Sequence, residues 1–141
     1  MIGYIIRKLF GVNTPTVFVD DDTVYRIVEL TNDWCEKNLG KNTKVGDVTI
    51  HIKDQGLSFK HNYGGYNTET NTIYIYRDQC DTIEWIIKSL IHEYTHYTQD
   101  LRKYDLLLEE YGYDNHPQEI EADNMMNNYY LTVWNKIKNK I

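Results

Sequence analysis

His92, Glu93 and His96 are the residues of this chain whose types and spacing most directly allow chemistry. They stand in the order His-Glu-x-x-His, inside a run with helical periodicity. Residues four apart lie one above the other on a helix, so both imidazoles can face a single point. Neutral imidazole nitrogens bind Zn²⁺ at about 2.0–2.1 Å, and two such ligands one turn apart suit tetrahedral geometry. Glu93, beside the first histidine, is then placed to take a proton from a metal-bound water. The five-residue pattern also arises by chance, so its surroundings decide its meaning.

The element that must carry these residues is well marked. Asp81-Thr82-Ile83-Glu84 predicts a helix start, with Asp81 as N-cap and Glu84 reaching back three residues later. Ile83, Ile87, Leu90, Tyr94, Tyr97 and Leu101 then recur at spacings of three and four, a core-facing stripe. At about 100° per residue, His92 and His96 fall on the opposite side, with Trp85 and Ser89. Two readings of that side stand: a ligand face, or a solvated polar face.

A metal site needs a third ligand. His116-Pro117-Gln118-Glu119-Ile120-Glu121-Ala122-Asp123 opens a second long helix, with Pro117 at its first position, where a missing N–H is harmless. Glu119, Ala122, Asp123, Met126, Tyr130, Val133, Trp134 and Ile137 form one stripe, and Glu121 lies on the far side with Asn128 and Thr132. The periodicity therefore selects Glu119 over Glu121 as the ligand. An unpaired carboxylate facing inward costs several kcal/mol, and a metal removes that cost. Asp123, one turn later, is placed to accept the free ring N–H of a ligand histidine. The plainer alternative is that both acids only favour the helix N-terminus.

His92-Glu93-x-x-His96 followed by Glu119-x-x-x-Asp123 resembles the glutamate-ligand branch of the zincin metallopeptidases. That resemblance implies one zinc ion held by two histidines and a downstream glutamate, with an aspartate supporting a histidine. Glu119-Ile120-Glu121-Ala122-Asp123 also resembles the Glu-x-Glu-Ala-Asn signature of the ImmA/IrrE-like peptidases. It differs in having Tyr94-Thr95 where Leu-Gly is common, and Met125-Met126-Asn127-Asn128-Tyr129-Tyr130 in place of an apolar tail. The likeness runs from about Thr72 to Trp134.

The remaining sequence predicts a scaffold around this pair of helices. Asp20-Asp21-Asp22 precedes Val24, Ile27, Val28, Thr31, Trp34 and Cys35, and Gly40 closes an amphipathic helix with an acidic start. Val48–Ile52 alternates as a strand, Leu57-Ser58-Phe59 offers a second, and Asn62-Tyr63-Gly64-Gly65 reads as a turn. Thr72–Tyr76 is the clearest strand, β-branched and aromatic throughout. The expected fold class is α+β: a small antiparallel or mixed sheet, an N-terminal helix, a central motif helix and a C-terminal helix with the third ligand. The zincin resemblance implies that the strand before the metal helix rims the cleft, which makes Thr72–Tyr76 a candidate edge for pairing with extended substrate.

At 141 residues the chain suits one domain with one core. A hydrophobic fraction of 41% with 26% charged residues excludes a disordered chain, and a net charge of −6 argues against nucleic acid as partner. Met1–Val12 is apolar but broken by Arg7-Lys8, and does not read as a signal peptide. No run reaches transmembrane length, so a cytoplasmic location without a membrane partner is expected. Cys35 and Cys80 lack metal-ligand spacing, and Cys35 reads as a buried free thiol.

These readings converge on a zinc-dependent peptidase acting on a peptide or protein substrate. Glu93 is the expected general base, and the developing oxyanion needs a further donor. His116 and Tyr111, with Tyr113, lie in the segment between the ligand helices and are the candidates. The alternatives are a zinc-binding interaction or regulatory module without turnover, and a metal-free interaction protein. A purely structural metal site has no need of Glu93.

Overall fold

The computed structural model describes residues 20–54 and 62–141. Met1–Val12 and the expected strand at Leu57-Ser58-Phe59 lie outside them. The protein is α+β, with four α-helices and a three-stranded mixed sheet among the described residues.

Helix α1 spans Asp21–Leu39. Asp20 caps it by accepting from the Thr23 N–H at 2.9 Å, and Gly40 ends it at φ +80°, a conformation that glycine adopts without strain. Val24, Ile27, Val28, Trp34 and Cys35 are its buried face, as the spacing predicts.

The sheet is formed by β1 (Thr49–Lys53), β2 (Gly64–Asn67) and β3 (Thr72–Tyr76), in the order β1-β3-β2. β1 pairs with β3 in parallel, and β2 pairs with β3 antiparallel. Two expectations change here. Thr72–Tyr76 is the central strand with both edges paired, so it offers no free edge. Gly64 and Gly65 are strand residues; the turn follows them, where Asn67 Oδ1 accepts from the Glu69 and Thr70 N–H groups at 2.9 and 3.3 Å. Asn71 closes that turn at φ +50°. β2 thus forms an edge of the sheet among the described residues.

Helix α2 (Ile83–Thr98) is the centre of the molecule, packed against α1, β2, β3 and the last helix. Ile86, Ile87, Leu90, Ile91 and Tyr94 have no exposed surface. Tyr94 and Tyr97 belong to the core, yet their hydroxyls donate to the carbonyls of Gly40 (2.6 Å) and Gly46 (2.7 Å), fixing the segment after α1. The helix begins one residue later than the capping box predicts. Thr82 is the N-cap, accepting from the Trp85 N–H at 3.3 Å, and Glu84 pairs with Lys88 at 3.1 Å instead of reaching back.

After α2, a 3₁₀ turn at Leu101–Lys103 leads into the short helix α3 (Tyr104–Tyr111), which has no buried residue. Helix α4 (Pro117–Ile137) follows and lies along α2, burying Glu119, Ala122, Val133 and Ile137. Cys35 and Cys80 are buried and unpaired. Among the described residues, no helix is long and apolar enough to cross a membrane.

Candidate metal centre

The side of α2 that carries the histidines is not solvated. His96 and Glu93 are buried and His92 nearly so, because this face meets α4 and β2. Burying two imidazoles and a carboxylate without partners is costly, so their partners define the site.

His92 Nε2, His96 Nε2 and Glu119 Oε1 converge. Each lies 3.2 Å from the other two. Ligand atoms about 2.0–2.1 Å from a tetrahedral zinc stand about 3.3 Å apart, so this triangle has the edges of one face of such a site. Glu93 stands back from it, its Oε1 3.9 Å from His92 Nε2. His92, Glu93 and His96 also come within 4.8 Å of one another, a looser set than the one completed by Glu119. The closer triangle is the better fit to an ion, and it leaves Glu93 free for another task.

The outer ring nitrogens are also engaged. His92 Nδ1 faces Asp123 Oδ1 at 3.0 Å. His96 Nδ1 faces Gln99 Oε1 at 2.7 Å. The Gln99 amide is turned unambiguously, because its Nε2 donates to the Gln118 carbonyl (3.0 Å) and to Glu121 (3.1 Å). Its oxygen must therefore accept from His96. Hydrogens on both Nδ1 atoms leave both Nε2 lone pairs directed at the triangle, the tautomer that metal ligation needs. Two facing lone pairs and a carboxylate repel one another unless a cation, a proton or a metal ion, lies among them.

Glu119 is held from its other side by Tyr104, whose hydroxyl donates to Oε2 at 2.6 Å. Burial favours the neutral acid, but His92 and His96, when their Nε2 atoms are protonated, and the Tyr104 hydroxyl outweigh it and hold the carboxyl far below its usual range. The histidines respond in the opposite sense. Burial works against their charge, yet Glu119 and Glu93 raise both above the ordinary value. For Glu93, burial dominates and raises its pKa despite the two histidines.

These groups line a cleft of about 610 Å³ between α2, β2 and the segment leading to α4. Its lining is partly aromatic: Tyr63 stacks on Trp85 at 4.2 Å, and both line the cleft with Met126. Gly64 lies against Glu93, since a Cβ there would meet Tyr74 O at 2.8 Å and Glu93 Cγ at 3.2 Å. The glycine that looks like a turn residue is required by this close approach.

The structure does not bring His116 and Tyr111 to the cleft. His116 is fully buried as the N-cap of α4, its Nδ1 accepting from the Gln118 N–H at 3.1 Å and its Nε2 donating to the Tyr104 carbonyl at 2.9 Å. Both ring nitrogens are used, so neither is available to an oxyanion. Tyr111 lies exposed at the end of α3. Tyr104 and Tyr113 line the cleft instead. Partial desolvation and the nearby Glu119 carboxylate push the Tyr113 hydroxyl up to about 12. Glu121, assigned to the far side of its helix, is exposed but supports Gln99. No family model, curated protein or solved structure matches this chain.

Proposed function

We propose that the protein is a zinc-dependent peptidase with a zincin-like arrangement, in which His92, His96 and Glu119 hold the ion and Glu93 is the general base. The observation that carries this reading is the 3.2 Å triangle of ligand atoms with a buried, unligated carboxylate beside it in an open cleft. Zinc bound there would supply Lewis acidity and a water whose pKa falls to about 7. Glu93 accepts the proton of the attacking water and returns it to the leaving amine. Tyr104 and Tyr113 line the cleft and are the candidate donors for the developing oxyanion, although the hydroxyls of both also engage Glu119. The edge of β2, beginning at Gly64 beside Glu93, suits main-chain pairing with extended substrate. The zincin class, with a partial resemblance of the motif to the ImmA/IrrE-like peptidases, is part of this proposal.

Elemental analysis of purified protein, followed by incubation with a mixed peptide library, tests the reading. About one zinc per chain and new peptide termini are expected. Zinc without any cleavage would favour a zinc-binding interaction module, and absence of bound zinc after loading would remove both.

The ring partners of the histidines offer a second check. Asp123→Ala and Gln99→Leu should each lower zinc affinity by roughly 10–100-fold while leaving circular dichroism unchanged. Competition against a chromophoric chelator measures this directly. Wild-type affinity in both variants would show that Asp123 and Gln99 do not orient the ligands.

A further inference from the structure

A second groove of about 580 Å³ adjoins the cleft, and Tyr66, Thr68 and Leu101 line both. The two differ in charge. Among the described residues, the cleft presents Glu93, Asp105, Glu119 and Asp123 and no lysine or arginine. Among the described residues, the groove presents Lys41, Lys44 and Arg102 against one lining carboxylate, Asp100. Arg102 is paired with Asp100, and Lys41 with Asp47 at 3.1 Å and Glu36 at 4.0 Å. Lys44 has no ion-pair partner among the described residues. Its field reaches Asp100, whose charge Arg102 already balances. Lys44 is thus the lining cation of the groove without a direct ion pair among the described residues. The edge-on rings of Tyr66 and Tyr97, with centroids 6.1 Å apart, provide an apolar wall beside it.

β2 joins the two compartments. It starts at Gly64, against Glu93, and ends at Asn67, next to Thr68 on the shared boundary. At about 3.4 Å per residue, an extended chain beside β2 covers the distance from Gly64 to Thr68 in about four residues.

We propose that the groove is a subsite for an acidic side chain of an extended peptide, about four residues from the bond held at Glu93 and met by Lys44. The distance to the cut rests on the peptidase reading; the charge and continuity of the groove do not. Asp105 and Asp123 repel the same acidic side chain from the cleft itself, so the preference is positional. An exposed ion pair of this kind changes binding by about 2–5-fold.

The test uses the zinc-loaded full chain and dodecapeptides in which one Glu, or one Gln as control, is moved through every position. Products read by mass spectrometry should show Glu favoured over Gln by about 2–5-fold at about four residues from the cut. The Glu/Gln ratio of kcat/KM should fall to about one in Lys44→Ala and below one in Lys44→Glu. Raising the salt to about 1 M should flatten the ratio in the same way. Absence of a positional preference, or one unchanged in both variants, overturns the subsite. Fluorescein-labelled copies of the same peptides, bound to Glu93→Gln protein and read by anisotropy, separate the two claims. Lys44-dependent binding of Glu peptides with no cleavage by wild type removes the peptidase and keeps the groove. Cleavage without any Lys44-dependent preference does the reverse.

Discussion

Glu93→Gln should reduce peptide cleavage by roughly 10²–10⁴-fold while the protein keeps its zinc. The carboxylate stands outside the ligand triangle, 3.9 Å from His92 Nε2, so its loss removes no proposed metal bond. The amide has nearly the same size and fits the same space against Gly64, which rules out a packing defect as the cause. What it lacks is basicity. Burial raises the pKa of Glu93 above the ordinary carboxylate value, which strengthens it as a proton acceptor. Single-turnover cleavage together with zinc analysis of the same samples decides the matter. Equal cleavage by variant and wild type would remove Glu93 from the chemistry, and loss of zinc in the variant would make it a ligand.

Glu119→Gln should cost more in metal retention than either outer partner, exceeding the roughly 10–100-fold expected for Asp123 or Gln99. One Glu119 oxygen closes the triangle and the other accepts from Tyr104, so the amide loses the charge and cannot accept on both sides. Glu121→Gln is the matched control, two residues away on the same helix. Among the described residues it touches the site through Gln99 Nε2, and a glutamine oxygen still accepts that bond. Zinc retained after dialysis should therefore fall sharply in the first variant and little in the second. Equal losses would refute the assignment of Glu119 as the ligand.

The helix faces were legible in the sequence because they depend on short periodicities. The Asp20 cap, the Gly40 stop and the buried stripe of α1 follow from local rules, and so does the choice of Glu119 over Glu121 for the side that meets α2. The misread features depend on contacts distant in sequence. Gly64-Gly65 has turn composition, and only the proximity of Tyr74 and Glu93 explains it as strand. The pairing of β1 with β3 in parallel makes Thr72–Tyr76 central, and no local signal specifies that partner. Gln99 follows the end of α2, where a polar residue is unremarkable; its role depends on Gln118 and Glu121 arriving from α4. His116 was visible as a residue of interest, but its capping bond to Gln118 and its bond to the Tyr104 carbonyl explain it without catalysis.

The ligand triangle also closes a loop. His96 and Glu119 are 23 positions apart, and the helix between them, α3, buries no residue. That segment is tied down mainly at its ends, by Tyr104 on Glu119, His116 on the Tyr104 carbonyl and Gln99 on Gln118. An ion held in the triangle would act as a clasp across this loop, offsetting the entropy of bringing its ends together. Because only the closed form presents all three ligands, free metal at about 100 times its Kd adds about 2.7 kcal/mol to the stability of the closed chain. On the zinc reading, metal supply would be a folding variable as well: a chain made without the ion would keep this crossing shut with hydrogen bonds alone.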